Sequence, residues 1–156
     1  MSFIYTEIDE EIEEKMIAKW GKWVKGNLPK GEGCYAVAAL TEGEVVGCAT
    51  LGPKELLPPL DGRFDAFIRF IEVEEQYRRK GIGKTIVGML ENWAKSYGYR
   101  QIRAWSSQDK TEALNMWYAL NYCMCPAVML GVSAKTGDPN EKVLGYYYAK
   151  MLNPTI

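Results

Sequence analysis

A short basic turn punctuated by two glycines is the stretch of this sequence best suited to chemistry. It spans Gln76–Lys84 and reads QYRRKGIGK. Four of its side chains are cationic: Arg78, Arg79, Lys80 and Lys84. The apolar run Phe67–Val73 before the turn predicts a strand, and apolar residues at helical spacing after it predict an amphipathic helix over Ile82–Tyr97. Because the first amides of a helix lack intrahelical partners and the helix dipole is positive there, this arrangement predicts a phosphate or pyrophosphate site.

Two common nucleotide-binding patterns match this turn only in part. Gly83-Lys84-Thr85 is similar to the end of a Walker A loop, but Arg78 stands where that loop needs its first glycine. The dinucleotide-binding pattern G-x-G-x-x-G would need a glycine at Ile86. A degenerate nucleotide-binding loop is therefore the third-ranked hypothesis for this chain.

Arg78-x-x-Gly81-x-Gly83, placed directly after a predicted strand, resembles motif A of the GCN5-related N-acetyltransferases, the GNAT superfamily. In that family the motif cradles the pyrophosphate of acetyl-CoA. The resemblance implies that main-chain amides between Arg79 and Lys84 hold the pyrophosphate, and that pantetheine pairs with the main chain at Ile71–Val73. The residues expected to bind the cofactor are Ile71, Val73, Arg78, Arg79, Lys80, Gly81, Ile82, Gly83, Lys84, Lys110 and Trp117.

A second segment, Ala113–Tyr122, resembles the family's motif B, commonly A-x-x-x-Y-x-x-x-G-F. It departs from that pattern at Trp117, Asn121 and Tyr122, where Tyr, Gly and Phe are usual. The family uses the motif B tyrosine to protonate the departing thiolate. Tyr118 is the candidate donor here, although one helical step turns a side chain by about 100°. In the opposing interpretation Trp117 packs on the cofactor and the thiolate leaves unassisted.

Glu72 is the candidate general base, because it is a carboxylate inside an otherwise apolar strand at the end where the thioester should lie. Partial burial would raise its pKa and let it accept a proton, directly or through water. Alternatively, Glu72 faces solvent or pairs with Arg69 or Arg103. Asp65 is a weaker candidate for the same role.

Composition narrows the remaining possibilities. A chain of 156 residues that is 47% hydrophobic and 25% charged suits a single domain over residues 1–156. A net charge of −1 argues against a nucleic-acid surface, and no apolar run is long enough for a membrane span, so the expected location is the cytoplasm. The chain has no histidine, which excludes Ser-His-Asp and Cys-His catalysis, and its four cysteines do not have metal-site spacing.

Periodicity and turn residues predict the element order β-α-β-β-β-α-β-α-β-β, a mixed α/β fold. Helices are predicted from Ile8 to about Gly26, over Ile82–Tyr97, and from an N-cap at Asp109. Strands are predicted at Phe3–Tyr5, Cys34–Leu40, Val45–Leu51, Phe67–Val73, Gln101–Ser106, Cys123–Val132 and Lys142–Leu152. This order also resembles the GNAT fold, which implies a mostly antiparallel central sheet flanked by helices. Gly52–Asp65 is predicted to be a loop, either a mobile wall of the acceptor pocket or a segment tucked onto the core.

The leading functional hypothesis is an N-acetyltransferase that moves an acetyl group from acetyl-CoA to a primary amine by direct attack in a ternary complex. The amine belongs to a small molecule or to a protein or peptide. The alternative is a CoA-binding sensor that has lost turnover, which the altered motif B favours. Neither hypothesis requires a metal, and a homodimer is a family-level expectation.

Overall fold

The computed structural model describes residues 1–131 and 137–153. The strands in these ranges are β1 (Ile4–Glu7), β2 (Tyr35–Thr41), β3 (Glu44–Glu55), β4 (Phe64–Val73), β5 (Gln101–Ser107), β6 (Cys123–Leu130) and β7 (Lys142–Met151). The helices are α1 (Glu10–Trp20), α2 (Trp23–Gly26), α3 (Ile82–Tyr97) and α4 (Thr111–Ala119), with a 3-10 turn at Glu75–Tyr77. No helix in this part of the chain is long and apolar enough to cross a membrane.

The seven strands follow the order β1-β2-β3-β4-β5-β7-β6 in one sheet. The pairs β1–β2, β2–β3, β3–β4 and β6–β7 are antiparallel. The predicted α/β class, with a mostly antiparallel sheet and helices, is therefore confirmed. Two compact units are present: unit 1 comprises residues 1–102 and the chain from Leu152 onward, and unit 2 comprises residues 103–151. A single domain over residues 1–156 stays a prediction.

In unit 1 the strand β3 is covered on both faces. Met16 of α1 and Val24 of α2 share a buried cluster with Cys48 of β3 and Phe70 of β4. The neighbouring residue, Gly47, must face the other side of the sheet, because side chains alternate along a strand. On that side α3 packs against β3 through the buried side chains of Ile82 and Ile86. The stretch Val45–Leu51 is buried throughout, as expected for a strand between two helical layers.

The predicted continuous helix from Ile8 to Gly26 is wrong, because the chain breaks at Gly21 into α1 and α2. Gly21 has a φ of 99°, which only glycine adopts without strain, and its amide closes α1 on the Ile17 carbonyl. Asp9 caps the start of α1 by accepting a hydrogen bond from the Ile12 amide at 2.9 Å. The break turns the ring of Trp23 edge-on to Phe70, with centroids 4.7 Å apart.

The predicted loop Gly52–Asp65 is also wrong at both ends, because β3 continues to Glu55 and β4 begins at Phe64, with Gly52 opposite Phe67. The pairing of β2 with β3 ends at Leu51, so the rest of β3 is paired on one side, where a proline such as Pro53 is tolerated. The connecting loop lies at the start of β4, about 26 Å along the strand from Glu72. The role of the remaining loop, residues 56–63, as a wall of the acceptor pocket stays a prediction.

Unit 2 has its own aromatic core under α4. Trp117 is 1% exposed and packs against the rings of Tyr122 and Tyr148, with centroid distances of 4.8 and 5.4 Å. The predicted cap at Asp109 is wrong, since Lys110 is the N-cap residue of α4 and no side chain caps that helix. Asp109 instead accepts a hydrogen bond from the Ser107 hydroxyl. Strand β6 ends at Leu130, and Val132, the predicted strand end, lies outside the described residues.

All four cysteines are free thiols, but their surroundings differ. Cys123 and Cys125 are exposed on β6, whereas Cys34 is half-buried and Cys48 is fully buried. Burial raises the pKa of the Cys48 thiol, and the Glu72 carboxylate raises it further. Cys48 is therefore an inert core thiol.

Candidate functional site

The basic turn before α3 has a backbone shape that favours an anion. Arg79 and Gly81 both have positive φ values, 62° and 83°, and Gly81 is the N-cap residue of α3. A Cβ added at Gly81 would meet no atom within 4 Å, so the surface beside the turn is open. Alternating positive φ values direct successive amides toward a common concave side, which is a recurrent anion-binding form of the main chain.

The first turn of α3 supplies the donors for such an anion. The first intrahelical bond runs from the Thr85 amide to the Gly81 carbonyl at 3.0 Å, so the amides of Ile82, Gly83 and Lys84 precede the bonded part of the helix. The Thr85 hydroxyl also donates to the Gly81 carbonyl, at 2.9 Å. That hydroxyl is thus occupied inside its own helix, unlike the metal-binding threonine of a Walker loop.

The side chains of the turn divide into two groups. Those of Arg78, Arg79, Lys80 and Lys84 are exposed, which leaves their charges at the surface beside the turn. Ile82 is 1% exposed, so its contribution to a phosphate site is restricted to its main-chain amide. The guanidinium of Arg78 folds back, and its Nε donates to the Val73 carbonyl at 2.9 Å. Arg78 therefore ties the turn to the end of β4.

The position of this turn depends on a close approach between α3 and β3. A Cβ on Gly47 would lie 2.9 Å from Cγ2 of Ile82 and 3.5 Å from Cδ1 of Ile86. These distances show that the first turn of α3 packs directly on the Gly47 backbone. The glycine therefore sets how near the donor amides lie to the end of β4.

Replacing Gly47 by alanine should push the first turn of α3 away from β3. We expect an unfolding free energy lower by about 1–3 kcal/mol, the usual cost of overpacking a core. Urea unfolding of the variant, with Gly88→Ala in the same helix as control, measures this effect. At Gly88 an added Cβ meets nothing within 4 Å, so that control should lose no stability. Equal stability of the Gly47→Ala variant and wild type would contradict the close packing.

Glu72 lies opposite Cys48 in the β3–β4 ladder and is half-buried. Its carboxylate is near enough to act on the Cys48 thiol, as is the ammonium of Lys19. Lys19 itself is 3.0 Å from a carboxylate oxygen of Glu74 and also donates to the Val45 carbonyl. The Lys19 ammonium therefore forms an ion pair with Glu74. Arg69, one alternative partner of Glu72, donates to the Pro53 carbonyl at 3.0 Å.

Sequence reasoning missed Lys19 and Glu74 as neighbours of the candidate base. No local pattern connects them, because they lie on α1 and directly after β4. Glu74 also donates its amide to the Val46 carbonyl at 2.9 Å, which holds the chain against β3 past the strand end. Glu72, in β4, and Glu74, just after it, are both half-buried, and Lys19 pairs with Glu74.

The motif B residues of unit 2 do not share one environment. Trp117, at the usual tyrosine position, is a core side chain, whereas Tyr118 is 76% exposed. Lys110 is exposed at the start of α4. The cofactor roles of Lys110 and Trp117 and the proton-donor role of Tyr118 stay predictions. Among residues 1–131 and 137–153, no group of three or more candidate ligands could hold a metal ion.

A profile of the Acetyltransferase (GNAT) family matches residues 2–122, which include the basic turn and the motif B segment. This match covers more than half of the chain. The chain belongs to the Acetyltransferase (GNAT) family. No match was found among proteins with curated descriptions.

Solved structures share the fold of this family member at low sequence identity. NAA60 from Arabidopsis thaliana, in complex with a bisubstrate analogue, gives a TM-score of 0.78 at 15% identity, covering 99% of this chain and 100% of that one. The ribosomal-protein-S18-alanine N-acetyltransferase from Escherichia coli gives 0.74 at 12% identity, with coverages of 99% and 97%. An aminoglycoside 6'-N-acetyltransferase complexed with coenzyme A gives 0.68 at 18% identity, with coverages of 98% and 99%.

Proposed function

We propose that this GNAT-family protein is an N-acetyltransferase that transfers the acetyl group of acetyl-CoA to a primary amine. The single observation that carries the proposal is the glycine turn at the start of α3, with positive φ values at Arg79 and Gly81 and open space beside it. The family match and the coenzyme A in one structural neighbour support the same cofactor. When bound, acetyl-CoA supplies an activated acetyl thioester.

The turn would hold the pyrophosphate of acetyl-CoA through the amides of Ile82, Gly83 and Lys84. Main-chain donors at a helix N-terminus bind phosphate without any side chain having to be ordered first. The exposed cations Arg79, Lys80 and Lys84 add long-range attraction for the nucleotide phosphates. By resemblance, the main chain at Ile71 and Val73 would then pair with the pantetheine arm.

Glu72 is proposed as the group that removes a proton from the acceptor ammonium. It is half-buried on the face of β4 that also carries Phe70, beside an apolar cluster. An amine must be neutral to attack, so a carboxylate that takes its proton, directly or through one water, raises the reactive fraction. The neighbouring acid, Glu74, pairs with Lys19 at 3.0 Å.

We propose that the coenzyme A thiolate leaves without a dedicated protein acid, because Trp117 is buried and Tyr118 is 76% exposed. Tyr118→Phe should therefore keep kcat within about twofold of wild type, since a single positioned proton donor typically contributes 10²–10⁴-fold. Steady-state rates of the two proteins with one amine measure this. A fall of tenfold or more would establish Tyr118 as the donor.

Calorimetric titration of the protein with acetyl-CoA, in parallel with Mg-ATP and NAD, tests the proposed cofactor. Saturable binding of acetyl-CoA alone supports it, and turnover with peptide, aminoglycoside and polyamine amines then tests the reaction. The variant Arg78→Glu combined with Gly83→Asp serves as the binding control, because it places two negative charges at the turn. If the folded protein does not bind acetyl-CoA, the proposed activity is wrong.

A coenzyme A sensor without turnover is the second candidate function. The specific observation in its favour is the buried Trp117 at the position where the family has a tyrosine. This candidate predicts acetyl-CoA binding with no acetylated product from any amine tested. Product formation with one amine is enough to reject it.

A further inference from the structure

The ammonium of Lys19 connects α1 to the ends of two neighbouring strands of unit 1. It lies 3.0 Å from a carboxylate oxygen of Glu74, directly after β4, and it also donates to the Val45 carbonyl of β3. The Lys19 and Glu74 side chains are 22% and 26% exposed, so water screens their attraction less than it would at an open surface. Lys19 therefore ties α1 to the chain at the point where it leaves β4.

Glu74 is also the residue from which the chain continues toward the basic turn. Its amide donates to the Val46 carbonyl at 2.9 Å, and its carbonyl accepts a hydrogen bond from the Tyr77 amide at 2.9 Å. Glu74 is the N-cap residue of the 3-10 turn Glu75–Tyr77, and Arg78 is the C-cap residue of that turn. The place of Glu74 therefore sets the start of the short path that leads to the phosphate donors of α3.

Lys15 lies one helical turn before Lys19 on α1, but its contacts are different. Its ammonium is 2.9 Å from the Glu11 carboxylate and donates to the Gly43 carbonyl at 3.1 Å. These partners belong to α1 itself and to the turn between β2 and β3. Replacing Lys15 therefore removes a cation from the same helix and leaves the contact between Lys19 and Glu74 in place.

We propose that Lys19 is a positioning residue for acetyl-CoA, because by holding Glu74 it fixes where the path into the basic turn begins. This inference rests on the proposed acetyltransferase function. Lys19 acts through Glu74 and needs no contact with the cofactor. Main-chain amides that are held in place before a phosphate arrives bind it without a further ordering cost. Releasing Glu74 from α1 and β3 adds that cost, so it weakens acetyl-CoA binding.

Two single variants distinguish positioning from simple charge attraction. Lys19→Met removes a cation and Glu74→Gln removes an anion. Long-range attraction for the phosphates alone would make the first variant bind acetyl-CoA more weakly and the second more tightly. Positioning through the pair makes both bind more weakly, by about fivefold, the upper range for a partly exposed ion pair. Calorimetric titration with acetyl-CoA measures both affinities, and Lys15→Met, the matched control, should bind as wild type does.

The double variant Lys19→Met, Glu74→Gln completes a mutant cycle. It should bind acetyl-CoA as weakly as either single variant, because each change alone already breaks the contact. The loss should fall on the KM for acetyl-CoA and not on kcat, and Lys19→Arg, which can still pair with Glu74, should restore most of the affinity. Glu74 lies outside the strands and helices, so Glu74→Gln keeps the test valid if Lys19→Met lowers stability. Wild-type affinity in both single variants, tighter binding by Glu74→Gln, or additive losses in the double variant would overturn the proposal.

A measurement without ligand separates this inference from the function on which it rests. In ¹⁵N–¹H NMR spectra of the cofactor-free protein, the amide signals of Gly81 and Gly83 should move in Lys19→Met and in Glu74→Gln and stay in place in Lys15→Met. If these signals move but wild type does not bind acetyl-CoA, the positioning role stands and the proposed function fails. If all variants bind acetyl-CoA equally and the signals do not move, the positioning role fails and the proposed function stands.

Discussion

Replacing Gly81 by valine is expected to weaken acetyl-CoA binding at least tenfold while the protein stays folded. Gly81 has a φ of 83°, where a β-branched residue is strained by about 1–2 kcal/mol, so the turn relaxes to another backbone path. That path no longer presents the amides of Ile82, Gly83 and Lys84 together. Calorimetric titration with acetyl-CoA measures the affinity, and circular dichroism confirms the fold.

Gly88→Ala is the matched control for this prediction. Gly88 lies in the interior of the same helix, and a Cβ there meets nothing within 4 Å. Alanine should stabilise the helix by about 0.5–1 kcal/mol and leave acetyl-CoA affinity unchanged. If both variants bind acetyl-CoA as wild type does, the turn is not the phosphate site.

Replacing Glu72 by glutamine is expected to lower kcat by about 10²–10⁴-fold, the range for loss of a positioned general base. The amide keeps the shape of the side chain but cannot accept the proton of an ammonium. Acetyl-CoA affinity should stay unchanged, because the phosphate donors belong to α3. Steady-state kinetics together with the cofactor titration separate the two effects.

Glu74→Gln tests whether the effect is specific to Glu72. Glu74 is the next carboxylate along the chain on the same side, but it pairs with Lys19 at 3.0 Å. Its loss should change kcat by less than about threefold, since partly exposed ion pairs contribute little. An equal fall in kcat for the two variants would mean that the local charge, and not a base at Glu72, controls the rate.

The glycine turn was predictable because its chemistry is local. Arg78, Gly81 and Gly83 stand within six residues, and a left-handed conformation at a helix start is a property of glycine itself. The element order was predictable for the same reason, since turn residues and apolar periodicity are read within short windows. The predicted end of α3 at Tyr97 is confirmed, and Gly98 directly after it has a φ of 104°.

The errors arose where tertiary contacts override local preference. The three prolines between Gly52 and Asp65 indicate a loop, yet one-sided pairing with β4 allows β3 to run through Pro53. The position of Asp109 before the helix is typical of an N-cap residue, but its carboxylate accepts a hydrogen bond from the Ser107 hydroxyl instead. The Lys19–Glu74 pair joins elements that are far apart in the chain, so no local sequence pattern predicts it.

The placement of the thiols has a practical consequence for measuring this reaction. Colorimetric detection of released coenzyme A depends on a reagent that titrates sulfhydryl groups, and the exposed Cys123 and Cys125 will consume that reagent as well. Cys48 will not, because it is buried and its raised pKa keeps it protonated. At high enzyme concentration these two thiols therefore contribute most of the background signal of the assay. The double variant Cys123→Ser, Cys125→Ser lowers that signal, so it is better suited to measuring amines that are acetylated slowly.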